Sequence, residues 1–385
     1  MKFLRAHLNT IGIVTLALVI GALGAIDVFR PFGLRFSDLT GRVVTMDTMI
    51  RIGILSIVVV GLNLLMGYAG QVSLGQAGFY ALGAYSSGIL STLAVRHKLL
   101  PGIADTWWWP WLAMLASMAL VGGFAYLVGR PILRLKGNYL AMATLGLGVI
   151  IYILGGQFPA ITGGHDGLTG VPRLSLGDSF KLWPMQRYYF LVWGAAIGVI
   201  ILAMNIVNSR TGRALRAVHT SEMATSASGV DAERYKVQAL VISAVFASLA
   251  GSLYAHFQSA VSPNPFRFQA SVELVVMATV GGLSSIWGAP FGVGVIFILR
   301  DVIQSQVESL LHIRGGEYEL IMYGIVLVLI MIFMPEGLTT GTVKAVQRWR
   351  HRQTSKCQPP VGANANLRSG QVSNQVDSGA QEKSS

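Results

Sequence analysis

Residues 52–95 contain no Asp, Glu, Lys or Arg. That is about twice the roughly 20 apolar residues a helix needs to cross the hydrocarbon core of a bilayer, so the stretch reads as two crossings with a break between them. Single-span apolar runs cover 107–129, 137–156, 188–209, 237–258 and 320–335. Residues 274–299 are again uncharged, but Gly281-Gly282 and Gly288-Ala289-Pro290 interrupt them. A further run over 8–26 follows a weakly basic start at Lys2 and Arg5. It is nearly a full span and no small-x-small cleavage site closes it, so it reads as a retained transmembrane helix rather than a signal peptide. The expected fold is all-α: a polytopic membrane protein of about ten helices, some broken or re-entrant.

Composition agrees with this reading. Apolar residues make up 53% of the 385, and charged residues only 12%, where a soluble domain carries about a quarter. The net charge of +12 does not read as a nucleic-acid face, because the basic residues sit in short loops between apolar runs. One cysteine, Cys357, leaves no disulfide framework and no thiol cluster for a metal.

The basic loops set the orientation. Arg130, Arg134 and Lys136 mark one cytoplasmic loop, and Arg210, Arg213, Arg216, Arg234 and Lys236 a second. Lys344, Arg348, Arg350, Arg352 and Lys356 open the tail. These segments share one side only if 274–299 makes two crossings, which puts both termini in the cytoplasm. Residues 30–51 and 155–187 then lie outside, their arginines diluted by Asp38, Asp47, Asp166 and Asp178. Arg300 and Asp301 are expected as a pair at the headgroup boundary. The transmembrane domain is read as 1–343, followed by a basic and then disordered tail over 344–385, whose Gly/Ser/Asn/Gln-rich end buries too little apolar surface to fold.

Four segments carry candidate functional residues. In 63–85, Gly70, Gln71, Ser73, Gly75 and Gln76 break an apolar helix. Small residues at this spacing also make helix-packing faces, but the interleaved polar side chains favour a translocation path or gate, where irregular backbone is tolerated at membrane depth. Residues 275–295 repeat that grammar loosely, with Gly282, Ser284 and Gly288 as the matching positions. The external stretch 161–172 (ITGGHDGLTGVP) places Gly163, Gly164, Asp166 and Gly167 in tight turns suited to a lid or to docking a soluble partner. On the inward loop 209–236, Ser221 can cap a short helix that begins at Glu222 and ends at Gly229 in a left-handed conformation. Such a helix, carrying Ala224 and Ala227, fits a cleft on another protein. The chain has no phosphate loop, no H-E-x-x-H and no CxxC, so no cofactor is assigned to it.

The stretches NLLMGYAGQVSLGQAGFYALGAY, LKGNYLAMATLG, TGGHDGLTGVP, SRTGRALRAV with the following SEMATSASGVDAERYKVQALVISAVFASLAGSLYAH, and VGGLSSIWGAPFGVGV resemble the permeases of branched-chain amino-acid ABC importers, in particular their M-type (LivM-like) subunits. The likeness runs from about residue 50 to 335. It implies an inner-membrane subunit working with a second, H-type permease, two cytoplasmic ATP-binding subunits that hold ATP and Mg, and a periplasmic substrate-binding protein. It also implies that Arg213, Arg216, Glu222, Ala224, Ala227 and Gly229 belong to the loop that docks on an ATPase. Where the family usually has acidic residues before that glutamate, this chain has His219, Thr220 and Ser221. Closely related permeases carry urea or short-chain amides, which stand as an alternative substrate; a secondary carrier or channel without an ATPase is the alternative class.

The orientation is testable through the lone thiol. In sealed cells a membrane-impermeant maleimide is expected to leave Cys357 unlabelled, and to label it after permeabilisation. His165→Cys in a Cys357→Ser background is expected to behave in the opposite way. Labelling of Cys357 in sealed cells means an inverted orientation or an odd helix count.

Overall fold

Backbone crossing a bilayer must satisfy its own hydrogen bonds, and the apolar runs do so as helices. The computed structural model describes residues 45–96, 107–135, 137–175, 177, 185–283, 285–311, 324 and 328. The expected span 8–26, most of 320–335, Cys357 and the tail lie outside the described residues.

Helix α1 (Met46–Leu62) starts on a Thr45 cap and continues as a π-helical turn, Asn63–Tyr68, before the chain breaks at 69–75. Helix α2 (Gln76–Arg96) runs back. Helices α3 (Trp109–Ile132) and α4 (Asn138–Gln157) follow, then the short α5 (Pro159–Thr162) and strand β1 (Leu168–Thr169). Helix α6 (Met185–Asn208) leads to two helices on the basic loop, α7 (Arg210–Thr220) and α8 (Glu222–Ala227). Helix α9 (Ala232–Gln258), strand β2 (Ala260–Val261), α10 (Phe268–Gly281) and α11 (Ala289–Leu311) complete the described chain. Both expected interruptions are present, at 69–75 and 282–288. Five of these segments combine span length and hydropathy: Met46–Tyr68, α3, α4, α6 and α9. Large apolar side chains on α3 and α4, among them Leu120, Leu127, Met142 and Ile150, face outward, as lipid contact requires.

Helix α9 organises the bundle. Its 27 residues span about 40 Å, with α7 and α8 joined to its first residue and β2 to its last. Strand β1 pairs antiparallel with β2, Leu168 opposite Val261. The 159–173 and 209–231 segments therefore lie at opposite ends of α9, the separation the charge pattern demands.

Helices α2 and α9 run parallel and touch through backbone. A Cβ on Gly251 would run into the Tyr80 carbonyl, and one on Gly83 into the backbone of Ser248. Close contact of this kind is what small residues provide between membrane helices. Around the Gly83 carbonyl gather Ser117 and Ser252, with their Oγ atoms at 3.1 and 3.3 Å, and Ser117 also meets Ser248 Oγ at 3.1 Å. Nearer the β end, His256 Nδ1 lies 2.7 Å from the Pro172 carbonyl. A carbonyl only accepts, so Nδ1 carries the proton and Nε2 accepts from the Ser87 hydroxyl at 3.0 Å.

Arg300 lies within α11, a helix that runs on to Leu311, about 16 Å along the helix axis and within electrostatic reach of Glu273 on α10. Arg300 is exposed and Glu273 half-buried. Packing α10 beside α11 brings these two charges together, a pairing that adjacent sequence positions do not reveal.

Overpacking at the α2–α9 contact is expected to cost about 1–3 kcal/mol. Gly251→Leu should lower the thermal unfolding temperature of the detergent-purified protein, whereas Gly198→Ala, with open space around the added methyl, should leave it unchanged or slightly raised. Equal effects from the two would place the contact elsewhere.

Candidate functional site

The two broken segments meet. Asn63 Nδ2 donates to the Ser285 carbonyl at 3.0 Å, and a Cβ on Gly67 would collide with the Leu283 carbonyl. The π turn enables this contact: Ala69 N–H reaches back to the Leu64 carbonyl at 3.2 Å and Gln71 N–H to that of Leu65 at 3.1 Å. Wide turns inside α-helices are frequent at functional sites.

The break at 69–75 and the first residues of α2 are then tied to α4, α9 and α10. Leu74 N–H donates to Thr144 Oγ1 of α4 at 3.1 Å, and Ala77 N–H to Ser271 Oγ of α10 at 3.3 Å. Gln76 Nε2 donates to the Ser243 carbonyl of α9 at 3.1 Å and meets its hydroxyl at 2.9 Å. Gly75 leaves no room for a side chain against the Thr144 carbonyl. Of the residues singled out as pathway elements, Gln71, Ser73, Gly75, Gln76, Gly282 and Gly288 are all buried, Gly70 is exposed at the α7 end, and Ser284 lies outside the described residues.

This junction concentrates unused hydrogen-bonding capacity. Asn63 Oδ1, both amide atoms of Gln71, Ser73 Oγ, Gln76 Oε1 and Ser285 Oγ are buried without a partner among the described residues. Each such atom costs about 1–3 kcal/mol if left dry. Amides and hydroxyls held this way can take up water or the polar groups of a small solute, and they carry no charge that would trap it.

At one end of the bundle, the 209–236 segment has the cap and the left-handed end expected of it. Ser221 Oγ accepts from Ala224 N–H at 3.3 Å and caps α8. The helix ends with Gly229 at φ +81°, its N–H bonded to the Ser226 carbonyl and that of Val230 to the Thr225 carbonyl; this paired closure needs a left-handed residue. Ala224, Ala227, Gly229 and Arg213 are exposed, and Met223 is 86% exposed. Two of the candidate docking residues have partners inside the chain. Glu222 Oε2 pairs with Lys236 Nζ at 2.7 Å, and Arg216 Nη2 donates to the Val207 carbonyl at the end of α6 at 3.0 Å.

His219 links this segment to the junction. Its ring packs on Gly70, where a Cβ would stand 2.6 Å from the imidazole Cδ2, and Gly70 itself holds φ +68°. Neither the His219 contact nor the partners Ser243, Ser271 and Ser285 could be read from the sequence. A lone asparagine at the centre of an apolar run was the available signal for Asn63.

At the opposite end, Gly163, Gly164 and Gly167 shape the turns that bring β1 to β2, with Gly164 and Gly167 buried. Asp166 is exposed, as are His165 and Thr169. The outward face of this cap is therefore made by the side chains between the glycines.

Apolar spans, two helix breaks that meet at a buried polar junction, and exposed segments at both ends define a multi-pass membrane permease. The family described as Branched-chain amino acid transport system / permease component matches residues 44–331, and the chain belongs to it. The protein is a multi-pass inner-membrane permease subunit. It is 34% identical over 305 residues to the high-affinity branched-chain amino acid transport system permease protein LivM of Escherichia coli strain K12, covering 73% of this chain and 67% of that protein. It is 23% identical over 296 residues to LivH of Salmonella typhimurium, covering 74% and 90%. A probable LivM of Methanocaldococcus jannaschii is 24% identical over 314 residues, covering 74% and 90%. No solved structure matches the chain.

The meeting of the breaks makes a test. Gly67→Ala forces a methyl against the Leu283 carbonyl and is expected to cost about 1–3 kcal/mol and most of the leucine uptake per inserted protein. Asn63→Ala, which removes one hydrogen bond worth about 1 kcal/mol, should have a milder effect, and Gly146→Ala, in open space, none. Normal uptake by the Gly67 variant would remove the junction from the transport cycle.

Proposed function

We propose that this chain is the M-type subunit of an ATP-driven importer of branched-chain amino acids, with both termini in the cytoplasm. It works with an H-type permease, two cytoplasmic ATPases that hold ATP and Mg, and a periplasmic binding protein. The observation that carries the reading is the continuous path of contact from α8 through His219 to Gly70 and the polar junction, in a chain that belongs to this permease family.

In this cycle the binding protein docks on the β1–β2 cap and releases its amino acid above the bundle. ATP binding closes the two ATPases, and α8, seated in a cleft of one of them, moves with it. The His219 ring pushes on the only kind of residue that lets a side chain approach the backbone of the break so closely. The two breaks then part, and the orphan amides and hydroxyls solvate the zwitterion on its way through. Hydrolysis resets the contact. The junction's neutrality suits a solute with balanced charges, since a fixed ion would hold one end of it.

Coupling is tested at the α8 closure. Gly229→Val is expected to lower both binding-protein-stimulated ATPase activity and uptake in reconstituted complexes by about tenfold, because a β-branched residue resists positive φ. Glu222→Ala should act more mildly, through loss of its pair with Lys236, and Lys236→Ala should match it. Membrane insertion should be normal in all three. Wild-type stimulated ATPase and uptake in Gly229→Val would make this segment an ordinary connector.

A further inference from the structure

Away from the junction, a groove of about 800 Å³ opens between the end of α3 and the start of α9, within the size range of small-molecule sites. Tyr126, Arg130 and Arg134 line one wall at helical spacing, and Arg234, Val237 and Val241 line the other. The helices close beneath it, where Gly122 lies against Val245 and Gly129 against Leu240.

We propose that this groove holds an anionic phospholipid, its phosphate between Arg130, Arg134 and Arg234 and an acyl chain along Val237 and Val241. Three guanidiniums face two carboxylates here. Asp231 is turned to the α9 end as its cap, accepting from Arg234 N–H at 3.1 Å, and the balance of the five charges stays positive. Glu233 meets Arg134 at 3.6 Å, a pair whose side chains are 75% and 51% exposed, so it opens at little cost. Arg130 is held by stacking over Tyr126, 4.5 Å from the ring centroid, which leaves its N–H groups for an anion.

The rest of the groove selects a lipid over a soluble partner. Val237, Val241 and Ile242, with Gln238 among them, give it an apolar wall, on a bundle whose α3 presents Leu120 and Leu127 outward to hydrocarbon. A free phosphate would use only the arginines and leave that wall uncovered. Basic pockets between membrane helices at a bilayer face bind lipid headgroups by this combination.

The test uses the protein purified with its accompanying subunits in neutral detergent. Short-chain phosphatidylglycerol, short-chain phosphatidylcholine and inorganic phosphate are titrated separately, and adducts are counted by native mass spectrometry. Phosphatidylglycerol is expected to bind preferentially, and inorganic phosphate to compete weakly. Arg130→Gln with Arg234→Gln should weaken phosphatidylglycerol binding by about tenfold or more, while Arg130→Lys with Arg234→Lys retains most of it. Thermal unfolding with phosphatidylcholine alone should be the same for all three proteins, which separates lost binding from misfolding. Equal binding of the two lipids overturns the proposal, as does a preference that survives the Gln substitutions. Full competition by inorganic phosphate reduces the site to an anion site and also overturns it. Loss of accompanying subunits from the Gln variant with lipid preference intact assigns the groove to a protein partner.

Discussion

Everything in this fold follows from the cost of an unpaired peptide group in hydrocarbon. A helix can be broken inside a bilayer only if neighbouring protein supplies the missing partners. Here Thr144 of α4 accepts from the Leu74 N–H of the break and Ser271 of α10 from the Ala77 N–H at the start of α2, while the Gln76 amide fastens that start to Ser243 of α9. The second break at 282–288 is met by Asn63. The two interruptions are therefore one structural unit: neither could stand at that depth without the scaffold that also brings them together. The same requirement leaves the junction short of partners for its own side chains, and that shortfall is the chemistry a polar solute can use.

The helices, their breaks and the ends of α8 were legible in the sequence because they depend on local signals. Uncharged runs of span length, the glycine pairs, Ser221 ahead of Glu222 and Gly229 after Ser228 each state their structure within a few residues. What surrounds the breaks was not legible. Ser243 lies 167 positions from Gln76 and Ser285 lies 222 from Asn63, and no local pattern marks a serine as the acceptor for a particular amide. The approach of Arg300 to Glu273 was hidden for the same reason: the two stand on different helices. At the cap, Gly163, Gly164 and Gly167 form the tight turns their sequence suggests, but their spacing did not announce that these turns would set β1 beside β2.

The ends of the chain's working parts also divide by chemistry. At one end, backbone closure and capping fix α8 while its apolar Met223 stays exposed. At the other, two short strands hold the cap by main-chain pairing, so its exposed side chains are not needed to keep it folded.

The parallel contact of α2 and α9 has a mechanical meaning. From Gln76–Ser243 through Gly83–Ser248 to Ser87–His256, the two helices are joined by backbone approach and hydrogen bonds along their common length, and His256 then grips the cap at Pro172. Such a pair has little room to bend and none to slide. It is a strut: one rigid piece from the first turn of α9 to the turn at Pro172, so whatever bending the bundle allows falls to the helices packed around it.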